Sequence, residues 1–262
     1  MIEQLARLGY ASKAFIYATV GLLAGAAALN EGGAVTDTRG ALRVILSHPF
    51  GNTVLFVLAV GLCGYSVWRL LDAFLDPDRR GTSPKGLGIR IGGAFRALIY
   101  GALGVEAFRL ARGLRGTGGS DAKIRMWTAT MMTWPMGEWL IGVIGLVTAG
   151  YGLSEIVEAI REKEDDKRDL GSLQPGTRRR LNRISRFGVA ARAVIIVALG
   201  ILLVRAALQH DPGQAEGVRG SMLEIVGRGG RGALTFITLG LIAYAVDQAL
   251  HARYRRIRSP IR

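Results

Sequence analysis

The chain has 262 residues, is half hydrophobic, has a mean hydropathy of +0.28 and carries a formal net charge of +14. That charge would suit a nucleic-acid surface, but the run Arg178-Arg179-Arg180 has no interleaved aromatic residue on which bases could stack, so no specific nucleic-acid partner is expected. A single cysteine, Cys63, excludes an internal disulfide.

The apolar residues are clumped. Charge-free runs cover Ala14–Leu29, Thr53–Trp68, Ala97–Val105, Trp139–Ser154, Ala193–Val204 and Gly232–Val246. Each falls short of the roughly 20 residues that cross about 30 Å of hydrocarbon. Each is extended by bases whose stems lie in the apolar layer while the charge reaches out of it: Lys13, Arg69, Arg96, Arg192 and Arg205. The pattern predicts six transmembrane helices rather than a soluble all-helical bundle. Ala26-Ala27-Ala28 has the look of a signal-peptidase site. The same segment recurs later as a first helix, so it is read as uncleaved.

The recurrence is internal repetition. Gly9–Gly21 reappears as Gly92–Gly104 and as Gly188–Gly200: each copy has glycine, a base followed by alanine, an apolar run, and glycine. Arg7, Arg90 and Arg186 obey the same shifts. A fixed period marks one structural unit used several times. The units are placed at residues 1–80, 81–168 and 169–262, each a helical hairpin.

In unit one, Asn30–Gly33 breaks the first helix. Asp37 and Thr38 then cap a short helix, Thr38–Ser47. Ala41, Leu42, Ile45 and Leu46 share one of its faces, which suits a helix lying apolar side down in the outer interface; a packed loop is the alternative. His48-Pro49-Phe50-Gly51 ends it, and a second span runs from Asn52 to Asp72. In unit two the outer segment is Lys123–Met132, Pro135-Met136-Gly137 matches Pro49-Phe50-Gly51, and Gly150-Tyr151 matches Gly64-Tyr65. In unit three, Arg219-Gly220 matches Arg39-Gly40, Gly230 is expected where Gly51 stands, and Ala243-Tyr244 where Gly64-Tyr65 stands. Pro77–Gly88 and Glu162–Arg183 read as charged linkers.

If the N-terminus is cytoplasmic, the inner segments hold 23 of the 34 Lys and Arg and the outer loops 11. This positive-inside bias predicts cytoplasmic N- and C-termini in the bacterial inner membrane, with the basic face against anionic lipid headgroups. Each hairpin returns to its starting side. The units are therefore parallel repeats, expected to be related by a pseudo-threefold axis along the membrane normal. The expected fold class is all-α, an integral membrane bundle.

The residues quoted above carry a resemblance. Gly9-Tyr10-Ala11-Ser12-Lys13-Ala14, Asp37-Thr38-Arg39-Gly40-Ala41-Leu42, Pro49-Phe50-Gly51 and Gly64-Tyr65-Ser66-Val67-Trp68-Arg69 resemble a bacterial membrane-protein family described only as domain of unknown function 1206. The resemblance spans nearly the whole chain and implies three two-helix units. It implies no activity, cofactor or catalytic residue. Unit three departs from it most, at Ile196, Arg228 and Gln248.

Three residue sets stand out. Lys13, Arg96 and Arg192 are equivalent on the first helices. Asp72, Glu158 and His251 are equivalent on the second helices, with Glu155 and Asp247 about a turn deeper. Ionisable groups at that depth are expensive unless paired or wetted, so these bases and acids either form a ring of ion pairs, snorkel to the headgroups, or bind a ligand. Glu106 and Arg109 share a helix face. They read as an ion pair near the outer interface or, if Glu106 faces a cavity, as a proton or cation relay. The third set is glycine: Gly21 and Gly25, Gly61 and Gly64, Gly101 and Gly104, Gly142 and Gly145 read as close helix contacts.

Catalytic patterns are not found. The three histidines, His48, His210 and His251, fall on both sides of the membrane and make no metal cluster. No Gly-x-Ser-x-Gly or His-Glu-x-x-His occurs. The expectation is a non-enzymatic membrane protein without cofactor: a transporter or channel for a small anionic solute, or a closed scaffold that binds lipid or a protein through its basic face.

Overall fold

Hydrocarbon offers the backbone no hydrogen-bonding partner but itself, so each apolar run has to be helical. The computed structural model describes residues 2–30, 32–76, 81, 83–114, 120–161 and 173–255. These hold eight α-helices: α1 (Ile2–Ala28), α2 (Thr38–Leu46), α3 (Gly51–Leu75), α4 (Pro84–Ala111), α5 (Ser120–Met132), α6 (Gly137–Ile160), α7 (Pro175–Leu208) and α8 (Val218–Tyr254). Six of them, α1, α3, α4, α6, α7 and α8, are long and apolar enough to cross a membrane.

The chain is a multi-pass membrane protein with two spans per repeat. The start of α1 and the end of α8 meet, since the Arg7 guanidinium donates to the carbonyls of Ala252, at 2.9 Å, and Arg253, at 2.6 Å. We call this side the terminal face, and the other, which carries α2 and α5, the loop face. Of the expected linkers, 77–80, 82 and 162–172 lie outside the described residues, but two ends are helical. Proline in the first turn starts α4 at Pro84 and α7 at Pro175. With 34 residues, α7 is about 50 Å long, so its first turns, with Arg178-Arg179-Arg180, extend beyond the apolar layer.

On the loop face, Asp37 caps α2 as expected, its carboxylate accepting from the Gly40 amide at 2.8 Å. The apolar face of α2 does not lie in lipid. Ala41, Leu42 and Ile45 are buried in the protein core against α1, α3 and α4. The turn into each second span needs a positive φ: 62° at Phe50, 62° at Met136 and 57° at Gly230. Gly230 therefore takes the place of Phe50 rather than of Gly51. Its ψ of −145° is open only to glycine, and it bends α8 between a loop-face segment and the span proper.

The spans pack unit to unit along three seams, α3 on α4, α6 on α7, and α8 on α1. Small residues make these approaches. Gly101 meets Ser66 and Gly104 meets Cys63; Gly145 and Gly200 meet each other's backbone; Gly21 meets Leu241 and Ile242. Within unit one α1 packs on α3, and within unit three α7 packs on α8. Within unit two α4 and α6 form no packed seam.

Repeat-equivalent residues explain the difference. Gly61 lies directly against Ser12, and Gly240 directly against Ala191. The corresponding pair in unit two is Val147 and Phe95, whose bulk stands them apart, 66% and 63% exposed. Gly9 and Gly188 are likewise pressed against Tyr65 and Tyr244, while Gly92, their equivalent, meets no atom of α6.

Candidate functional site

The three bases singled out from the repeats share one environment. In each unit the base of the first helix lies over the tyrosine ring of the second. The Lys13 ammonium is 4.7 Å from the Tyr65 centroid, the Arg96 guanidinium 5.5 Å from Tyr151, and the Arg192 guanidinium 5.0 Å from Tyr244. A ring face attracts a cation through its quadrupole, worth about 2 kcal/mol when desolvated. Lys13 is surrounded most completely, with Tyr100 at 4.5 Å and Tyr10 at 5.4 Å. It is only 4% exposed and pairs with no carboxylate among the described residues, so it does not snorkel.

The tyrosines form a layer across the bundle. Tyr65 meets Tyr100 edge-on at 5.3 Å, Tyr17 meets Tyr244 at 4.7 Å, and the Tyr17 and Tyr100 hydroxyls are 3.3 Å apart. Among the described residues, one carboxylate bonds to one of these three bases. Glu155 accepts from Arg192 at 2.8 Å and from the Tyr151 hydroxyl. Of the three repeat-equivalent bases, Arg192 alone has a carboxylate partner among the described residues.

The remaining acids are elsewhere. Asp72 pairs with Arg69 on its own helix at 3.0 Å, both buried. Asp247 accepts from Gln248 at 2.8 Å and lies 3.4 Å from His251 Nδ1, while the His251 ring stacks on Tyr10 at 5.4 Å. Glu158 is exposed on α6 and makes no ion pair with Arg96, whose Nε donates instead to the Gly92 carbonyl at 3.2 Å. The expected ring of ion pairs therefore reduces to Arg192–Glu155. An acid a turn away from its base reaches a nearer arginine or amide first. Glu106 is half-buried, Arg109 exposed, and the two do not pair; Arg205, at Arg109's repeat position, pairs with Glu224 at 3.3 Å.

A second feature was not anticipated. On the loop face a cavity of about 650 Å³ opens between α2, α5 and the start of α8. Three repeat-equivalent arginines line it: Arg39, Arg125 and Arg219. Arg125 pairs with Glu216, and Arg219 lies 3.7 Å from Asp121, which also accepts from the Gly217 amide at 3.0 Å. Arg39 forms no ion pair among the described residues. The alignment of Arg39-Gly40 with Arg219-Gly220 could have found this set; Arg125 falls at the Pro49-to-Pro135 spacing, but methionine follows it where glycine stands in the other two. Among the described residues no three His, Cys, Asp or Glu side chains group as metal ligands.

Fold and site together define a six-span helical membrane protein built of three two-helix repeats around an interior layer of cations and tyrosines. The chain belongs to the family described as Domain of Unknown Function (DUF1206), which matches residues 8–76, 91–162 and 187–255. It is also similar to the uncharacterized protein YxxB of Bacillus subtilis (strain 168), 30% identical over 257 residues, which cover 98% of this chain and 92% of that protein. No solved structure matches.

Proposed function

We propose that the protein passes a small anion across the bacterial inner membrane, with both termini cytoplasmic, without catalysis or a cofactor. The observation that carries this is Lys13: a base 4% exposed in the interior layer, next to repeat-equivalent arginines and with no carboxylate partner among the described residues. An uncompensated charge at that depth costs several kcal/mol, of which ring faces return a part. A transient anion supplies the missing counter-charge. The loop-face cavity, lined by Arg39, Arg125 and Arg219, is its mouth, and the Tyr17–Tyr100 contact is the constriction below. The 23 inner against 11 outer bases support the orientation.

The test is efflux from proteoliposomes loaded with chloride, nitrate or phosphate. Wild-type protein is expected to conduct at least one of them, and Lys13→Met to lose it while remaining folded. Flux equal to that of empty liposomes for all three anions would sink the reading. A closed scaffold would then be favoured, for which the glycine-tight seam of Gly145 on Gly200 already speaks.

A further inference from the structure

We infer that the open seam of unit two is a binding site for one acidic phospholipid from the leaflet on the terminal face, its phosphate on Arg96 and its acyl chains between α4 and α6. This goes beyond the anion path, because the seam opens sideways to the bilayer and does not require conduction.

The argument starts from the repeat. Units one and three close their hairpins with Gly61 on Ser12 and Gly240 on Ala191. Val147 and Phe95 hold unit two apart, so the same fold leaves one slot out of three unfilled. The slot is amphiphilic along its length. At its level nearest the terminal face, Arg96 bridges it by stacking on Tyr151 at 5.5 Å, without an ion pair among the described residues. Toward the loop face the exposed helical stripes that continue from these two residues are apolar: Ile99 and Ala102 on α4, and Ile144 and Val147 on α6.

A transmembrane helix from a partner would need a carboxylate placed against Arg96. A phospholipid brings its phosphate at the boundary of its own apolar chains, which matches the order of groups in the slot. Two carboxylates lie near. Glu155 is held by Arg192 at 2.8 Å. Glu158 lies seven residues beyond Tyr151, about 10 Å closer to the terminal face, and is exposed there. Neither neutralises Arg96, whose long side chain, at the end of the charge-free run 97–105, can reach along the slot to a headgroup phosphate.

The test uses the full chain in phosphatidylcholine nanodiscs doped with a phosphatidylglycerol that carries a photoactivatable diazirine on its acyl chain. After illumination, adducts are expected on Ile99, Ala102, Ile144 and Val147. Unlabelled phosphatidylglycerol should compete and diacylglycerol, which lacks the phosphate, should not. Arg96→Gln keeps the slot and should lower the adduct yield about fivefold, the equivalent of one lost charge contact. Phe95→Ser with Val147→Gly restores the small pair of unit one and should remove the adducts by closing the seam. Adducts spread evenly over the lipid-facing sides of all six spans would overturn the inference. So would an unchanged yield in Arg96→Gln, or competition by diacylglycerol as strong as that by phosphatidylglycerol.

Discussion

The Tyr17 and Tyr100 hydroxyls lie 3.3 Å apart, and the two residues are separated by 83 positions, the shift that carries unit one onto unit two. Two copies of one repeat position thus touch each other across the bundle. The third copy, Ile196, has no hydroxyl to offer, so the contact is a pair rather than a ring. The two hydroxyls form one hydrogen bond, which either substitution to phenylalanine removes. Tyr17→Phe and Tyr100→Phe are each expected to cost about 1 kcal/mol, and the double variant little more than one of them. Detergent unfolding followed by circular dichroism measures the cycle; fully additive losses would show that the hydroxyls do not interact.

Arg192 and Glu155, at 2.8 Å with side chains 18% and 17% exposed, form the ion pair of the interior layer. Breaking such a pair from one side strands a buried charge, which costs about 3–5 kcal/mol, whereas removing both charges leaves none stranded. Glu155→Gln is therefore expected to destabilise strongly, and Glu155→Gln with Arg192→Met to recover most of the loss. Charge exchange between Arg96 and Glu158 should rescue nothing, because those side chains do not pair. A rescue there, read as restored thermal stability, would place the pairing on the wrong carboxylate.

What the sequence disclosed and what it hid follow from the range of the interactions. Apolar runs and their repetition identify six spans because both signals are local. The cap of Asp37 on α2 is local as well. The partner of each base was not legible. Lys13, Arg96 and Arg192 were visible as equivalents, yet what they face is set by helix rotation, and aromatic faces won over the acids at Asp72 and Glu158. The tyrosine layer was not legible either, because one ring in one helix says nothing of cations on another. The open seam was written in plain residues, Phe95 for Ser12 and Val147 for Gly61. It becomes readable only once Gly61 is known to be the contact point.

Arg7 and Arg90 perform one task at two seams. Arg7 donates to the carbonyls of Ala252 and Arg253 at the end of α8, and Arg90 to those of Ala73, at 2.7 Å, and Phe74, at 3.1 Å, at the end of α3. Both acceptor pairs occupy the same repeat position. The last carbonyls of a helix have no partner within it, and a cation there also meets the negative end of the helix dipole. Arg90→Ala is expected to cost about 1–3 kcal/mol and to speed amide exchange at the end of α3, with Arg90→Lys restoring part. Arg7→Ala should do the same at α8. Unchanged exchange at both helix ends would remove the capping role.

Gly9, Gly92 and Gly188 hold the same repeat position, and the fold gives them opposite sensitivities. Gly9 and Gly188 are pressed against the tyrosines of their partner spans, Tyr65 and Tyr244, so a methyl group there must push two helices apart. Overpacking of this kind costs about 1–3 kcal/mol. Around Gly92 the nearest atom a methyl would meet is the Arg96 guanidinium, at 3.9 Å. Alanine at that position only gains helix propensity, about 0.5–1 kcal/mol. Gly9→Ala and Gly188→Ala are therefore expected to lower stability, and Gly92→Ala to leave it unchanged or raise it, in the same unfolding titration. The contrast reads the state of the seam directly. If unit two closed in the bilayer as units one and three do, Gly92→Ala would be as damaging as the other two.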